Sequence, residues 1–215
     1  MEVLMVKKII AIIMVLAAVI IFMLDCVCKP KASESLAVTL HPQETSQWCW
    51  AASAQMVMDY LGHSVSQCVQ ANNRFGRSDC CGIDLCPPPT ETDCFHSGGH
   101  PCACSGWPEF GKYNFDFKTT SNAPLSWDDL RSQISRGQYC EGKPFCFTWH
   151  WNGGGGHMMV AIGYKTVSGV NYVEMNDPWS PCVGNHKFIT YSAYVSGSGY
   201  THWNDYYDVT YKGGE

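Results

Sequence analysis

No run of like charges, no low-complexity tract and no internal repeat occurs in this 215-residue chain. Only 15% of the residues are charged and the formal net charge is −5, so the chain lacks the basic face that nucleic acid requires, and nucleic acid is not expected as a partner. Apolar residues make up 46% of the chain, enough for a substantial core in one domain of ordinary size.

The N-terminus differs from the rest. Lys7 and Lys8 precede an apolar run from Ile9 to Leu24, which Asp25 interrupts. Basic residues ahead of an apolar stretch are how a secretory signal begins. This run is slightly long for a signal and slightly short of the roughly 20 residues that span a bilayer. Ser35-Leu36-Ala37 supplies small residues for cleavage after Ala37, whereas small residues are missing before Cys26 and Cys28, where lipid modification would need them. Residues 1–37 are therefore expected to be a signal peptide or an N-terminal membrane anchor. Either exit makes residues 38–215 a domain outside the cytoplasm, secreted or tethered to a membrane.

Thirteen cysteines agree with export, because disulfides persist in oxidising compartments. With Cys26 and Cys28 assigned to the N-terminal segment and Cys49 set apart, ten remain for bridging: Cys68, Cys80, Cys81, Cys86, Cys94, Cys102, Cys104, Cys140, Cys146 and Cys182. An even set with one thiol left over suits a secreted thiol enzyme.

Cys49 lies in Gln47-Trp48-Cys49-Trp50-Ala51-Ala52, ahead of a helix read from Ala54 to Leu61 and stopped by Gly62. In the first turn of that helix, unpaired backbone N–H groups and the helix dipole favour a negative charge on sulfur. Gln43, six residues upstream, could loop its amide back beside the Cys49 N–H, giving two donors for an oxyanion. A structural or bridged cysteine is the competing use of such a position.

A thiolate nucleophile needs a histidine beside it and a group to orient the ring. Among eight histidines, His157 stands out. It follows four glycines, 153–156, and opens the strand-like run Met158 to Tyr164. A second strand, Val170 to Met175, follows the turn at Ser168-Gly169 and ends at Asn176-Asp177-Pro178-Trp179. Antiparallel pairing puts His157 and Asp177 at the same end of the sheet. Neighbours in a strand point to opposite faces, so only one of Asn176 and Asp177 can serve as orienting residue.

These two segments, residues 38–61 and 143–180, resemble the papain-like cysteine peptidase superfamily. The wording of both is similar to its bacterial branches: the plant-pathogen effector proteases and, more distantly, peptidases that trim bacteriocin leaders. The resemblance implies an α+β fold with a nucleophile helix packed on an antiparallel sheet. It implies a Cys-His-Asp triad of Cys49, His157 and Asp177, with Asn176 as the alternative orienting residue and Gln43 as oxyanion donor. It also implies a peptide or protein substrate and no cofactor. A transamidase or deamidase toxin on the same triad, and an inactive papain-like extracellular binding protein, are the alternatives.

Residues 62–111 hold seven cysteines and Pro87-Pro88-Pro89, and read as an irregular, disulfide-rich insertion that shapes access or braces the fold. Cys102, Cys104, His96 and His100 raise a zinc site, but paired Cys-x-x-Cys spacing is absent, so disulfides and no metal are expected. Ser126 and Asp129 begin a further helix, and strands are expected at 143–151, 186–191 and 205–211. Trp48, Trp50, Trp149, Trp151 and Trp179 are candidates for lining a cleft.

Overall fold

The computed structural model describes residues 27–81 and 99–213, together with residues 8 and 12–14. Most of the apolar run at 9–24, and Cys26, Cys86, Cys94 and His96, lie outside the described residues, so the signal or anchor expectation falls outside them too. Among the described residues no helix is long and apolar enough to cross a membrane.

The elements run β1 (Glu34–Ser35), α1 (Cys49–Tyr60), α2 (Gln67–Phe75), β2 (Phe115–Thr119), α3 (Trp127–Ile134) and β3 (Phe145–Trp151). They continue with β4 (Gly156–Val167), β5 (Val170–Asp177), β6 (Asn185–Thr190), α4 (Tyr191–Val195), β7 (Ser196–Gly197) and β8 (Tyr200–Tyr211). All strands join one antiparallel sheet in the order β2-β8-β3-β4-β5-β6, with β1 on β4 and β7 on β8. The α+β class expected from the sequence is the observed one.

β4 explains the layering. Met158, Val160 and Ile162 pack in the core that holds α1, while Met159, Ala161 and Tyr164 pack in the core that holds Leu130 and Ile134 of α3. Both faces of the strand are covered, which is why it reads as an unbroken apolar run rather than an alternation. α1 is Ala- and Met-rich and buries residues around most of its circumference. It ends where Gly62 takes φ of +83° and the N–H groups of Gly62 and His63 close on Asp59 and Met58. Ser126 caps α3 as expected, accepting the Asp129 N–H at 3.1 Å.

Three expectations need correction. Cys28 is not part of a detached N-terminal segment: it is bonded to Cys140 across 112 residues. Glu34 and Ser35 pair with Tyr164 and Gly163, and Leu36 is buried, so residues 28–36 belong to the folded unit. Cys146 is a free thiol buried in the α1 core, not a bridging cysteine, and burial raises its pKa well above the ordinary range. Parity puts it among the bridges because a count cannot separate a core thiol from a half-cystine. The insertion, finally, is not irregular throughout, since it contains α2.

The described cysteines of the insertion are all disulfide-bonded. Cys68 bonds Cys81, Cys80 bonds Cys102, and Cys104 and Cys182 are also disulfide-bonded. Asp79, Cys80 and Cys102 lie close together, but the two sulfurs are joined to each other and offer no thiolate.

Candidate active site

Cys49 is the first residue of α1. No side chain caps that terminus and no acidic residue occupies its first turn, so the positive end of the helix is left to the thiol and its surroundings. The loop leading into α1 is clamped from two sides. Gln67 of α2, fully buried, donates to the Pro42 carbonyl at 2.8 Å and accepts the Glu44 N–H at 2.9 Å. On the other side, the Gln43 N–H reaches the Pro178 carbonyl and the Gln43 carbonyl accepts the Cys182 N–H. Ser53 then ties α1 to β4, its hydroxyl donating to the Met158 carbonyl at 3.2 Å.

His157 lies at the start of β4, and its Nε2 is 2.6 Å from Asp177 Oδ1 at the end of β5. The ladder between these strands pairs Val160 with Asn176, so the two side chains meet beyond the last register pair rather than across one. Asp177 Oδ1 also accepts the Trp179 N–H at 3.0 Å, and Oδ2 accepts from Lys187 of β6 at 2.8 Å. Desolvation opposes charge on this carboxylate, but those bonds outweigh it and hold its pKa down to about 2. Burial likewise opposes charge on His157, yet hydrogen bonds to Asp177 and to Cys49 lift it to about 9. With Nε2 turned to the carboxylate, Nδ1 is the nitrogen left for the thiol. Cys49 is unbridged and partly buried.

Asn176 points elsewhere: its amide donates to the Val38 carbonyl at 3.1 Å. Gln43 is brought close in the chain but not into the cavity. Its Nε2 donates to the carbonyls of Thr45 at 2.7 Å and Ser46 at 2.9 Å, and its buried Oε1 has no partner among the described residues. It is Gln47 that lines the cavity.

That cavity, of about 410 Å³, holds Cys49 and His157 together. Trp149, Trp151, Trp107 and Trp203 form much of its wall. Of the five tryptophans expected there, Trp149 and Trp151 take part. Trp48 and Trp50 are buried instead, donating their indole N–H groups to the carbonyls of Cys102 and Cys104. Trp179 is 52% exposed. The Trp48 and Trp50 bonds dock residues 102–104 onto α1 and the turn before it, and the following Ser105, Gly106 and Trp107 join the cavity wall. The described part of the insertion therefore both braces the helix and shapes access.

The glycine run also has two uses. Gly154 and Gly155 adopt φ of +93° and +76°, and a Cβ on Gly156 would sit 2.5 Å from the Trp149 carbonyl oxygen. Gly155 and Gly156 line the cavity beside His157, where absent side chains leave room.

A helix headed by Cys49 and packed on an antiparallel sheet, with Cys49 and His157 facing one cavity, has the α+β layout of a papain-like cysteine peptidase fold. The profile of the Peptidase_C39 like family matches residues 35–208, and the chain belongs to that family. No curated protein matches the sequence. Among solved structures, the chain is similar to one from the work titled "Structural basis for the limited antibody cross reactivity between the mite allergens Blo t 1 and Der p 1". Identity there is 13%, the TM-score is 0.47, and the match covers 84% of this chain and 71% of that one.

Proposed function

We propose that the protein is an extracytoplasmic cysteine peptidase, with Cys49 as nucleophile, His157 as general base and acid, and Asp177 as the residue that orients and charges the imidazole. The observation that carries this reading is the 2.6 Å His157–Asp177 contact beside an unbridged Cys49 at a helix N-terminus. Proton transfer from sulfur to His157 Nδ1 gives a thiolate–imidazolium pair. The thiolate attacks the substrate carbonyl, and the Cys49 N–H donates to the developing oxyanion. His157 then protonates the leaving amine, and water, deprotonated by the same ring, releases the acyl group.

For the second oxyanion donor we favour Gln43, on its six-residue spacing from the nucleophile. Its amide must first leave the Thr45 and Ser46 carbonyls. Gln47, already in the cavity wall, is its rival. Several disulfides among the described residues support an oxidising compartment.

The test is hydrolysis of a mixed peptide library by wild type and by Cys49→Ser, with products read by mass spectrometry. New N- and C-termini that appear only with wild type support the reading. Deamidated or amine-exchanged products without chain cleavage contradict it.

A further inference from the structure

Arg74 belongs to no part of the proposed chemistry, yet it lines the same cavity as Cys49 and His157. It sits in the last turn of α2, with its side chain 25% exposed. The guanidinium carbon lies 5.3 Å from the centroid of the buried Trp50 ring. On the other side is Gly106, where a Cβ would fall 2.5 Å from Arg74 Nε and 2.8 Å from Trp50 Cε2. The side chain is therefore gripped between a ring and a bare backbone, and much of its conformational entropy is already lost before any ligand arrives.

Its charge is only partly answered. The nearest carboxylate, Glu109, has Oε1 3.5 Å from Arg74 Nη1, and its Oε2 is turned to Lys112 at 3.0 Å. One carboxylate between two cations leaves a net positive charge. Among the described residues the Arg74 guanidinium makes no hydrogen bond, and no Asp or Glu lines the cavity. Gln47 and Ser105 add neutral polar groups to the same wall. A partly desolvated guanidinium with unused donors, in a cavity without acidic groups, is suited to a carboxylate.

We propose that Arg74 is a specificity-determining residue that binds a carboxylate of the peptide substrate, making this a peptidase for acidic sequences or for a chain's C-terminal end. The inference rests on the peptidase reading above. The experiment uses fluorogenic peptides in matched pairs, Glu against Gln at each position around the scissile bond, each made with a free and an amidated C-terminus. They are assayed with the full chain as wild type, Arg74→Gln and Arg74→Lys.

In the wild type, kcat/KM is expected to favour the carboxylate by about 10-fold or more at one position, as a charge-assisted hydrogen bond would give. Arg74→Gln should collapse that ratio to near one, and Arg74→Lys should restore part of it, since charge returns without the planar fork. The ratio is the readout because a merely structural loss lowers both members of a pair alike. A preference that disappears on amidation identifies the terminal carboxylate as the ligand, and one that survives identifies a side chain. A wild-type ratio near one everywhere, or a ratio unchanged in Arg74→Gln, overturns the inference while leaving the peptidase reading intact. No cleavage of any peptide removes both.

Discussion

Asp177 divides its two oxygens between two strands: Oδ1 faces His157 of β4 at 2.6 Å, and Oδ2 faces Lys187 of β6 at 2.8 Å. The carboxylate is thus held ionised from both sides while its ring-facing oxygen stays aimed at Nε2. Lys187→Met should raise the Asp177 pKa from its depressed value, because a hydrogen-bonded cation is lost. The loss of activity on acidification should then begin at higher pH than in the wild type, and Lys187→Arg should restore it. A pH–kcat/KM profile with an unmoved acid limb would show that Lys187 is only a surface contact.

The paired charges also predict a stability window. His157 has its pKa raised from 6.5 to about 9, so its contribution is full below 6.5 and is lost as pH rises through 9. Asp177 has its pKa lowered from 3.8 to about 2, so its contribution is present above 3.8 and is lost as pH falls toward 2. Asp177→Asn should therefore lower Tm most between about pH 4 and 6.5, with the difference from wild type narrowing outside that range. Thermal melts across pH provide the comparison. The same variant should lose about 10²–10⁴-fold in kcat, as expected when the base is no longer oriented.

Asn176 provides the internal control. Its amide holds the Val38 carbonyl, so Asn176→Ala should cost about 1 kcal/mol in denaturant unfolding while kcat changes only a few-fold. A loss of turnover equal to that of Asp177→Asn would return Asn176 to the triad.

The oxyanion donor is open to a similar contrast. Gln43→Ala should lower kcat by about 10²–10³-fold if its amide reaches the oxyanion in the reacting complex. If Gln47→Ala produces that loss instead, and Gln43→Ala mainly lowers Tm by freeing the Thr45–Ser46 turn, the roles are exchanged.

The Cys28–Cys140 bond closes 112 residues, and removing it by a double Ser substitution should cost about 2–5 kcal/mol. Mass spectrometry of exported protein should find Cys28 retained. A mature chain that starts at Val38 with full stability would contradict the membership of residues 28–36 in the folded unit.

Much of the candidate site is readable along the chain because its parts are local. A cysteine ahead of an Ala-rich helix, a histidine opening an apolar strand and an aspartate closing the next strand are patterns of one to three turns or a single hairpin. What escapes depends on contacts between distant segments. Lys187 meets Asp177 only because β6 pairs with β5, and Gln67 reaches the Pro42–Glu44 loop only because α2 packs on α1. α2 itself is hidden by its setting: Gln67–Phe75 carries few apolar residues and lies among cysteines and glycines. Arg74, Trp107 and Trp203 converge from α2, the insertion and β8, and no spacing rule joins them. Cys28 and Cys146 exchange their expected roles because pairing is decided by which Cβ atoms meet, a property of the folded chain.

The catalytic pairing of Cys49 with His157 is tested most directly by iodoacetamide labelling of the oxidised protein across pH 4–9, mapped by peptide mass spectrometry, for wild type and His157→Ala. Such a pair requires alkylation at Cys49, none at the buried Cys146 in the folded state, and a rate at Cys49 that falls when His157 is removed. A Cys49 found in a disulfide, or one that reacts equally fast without His157, would contradict it.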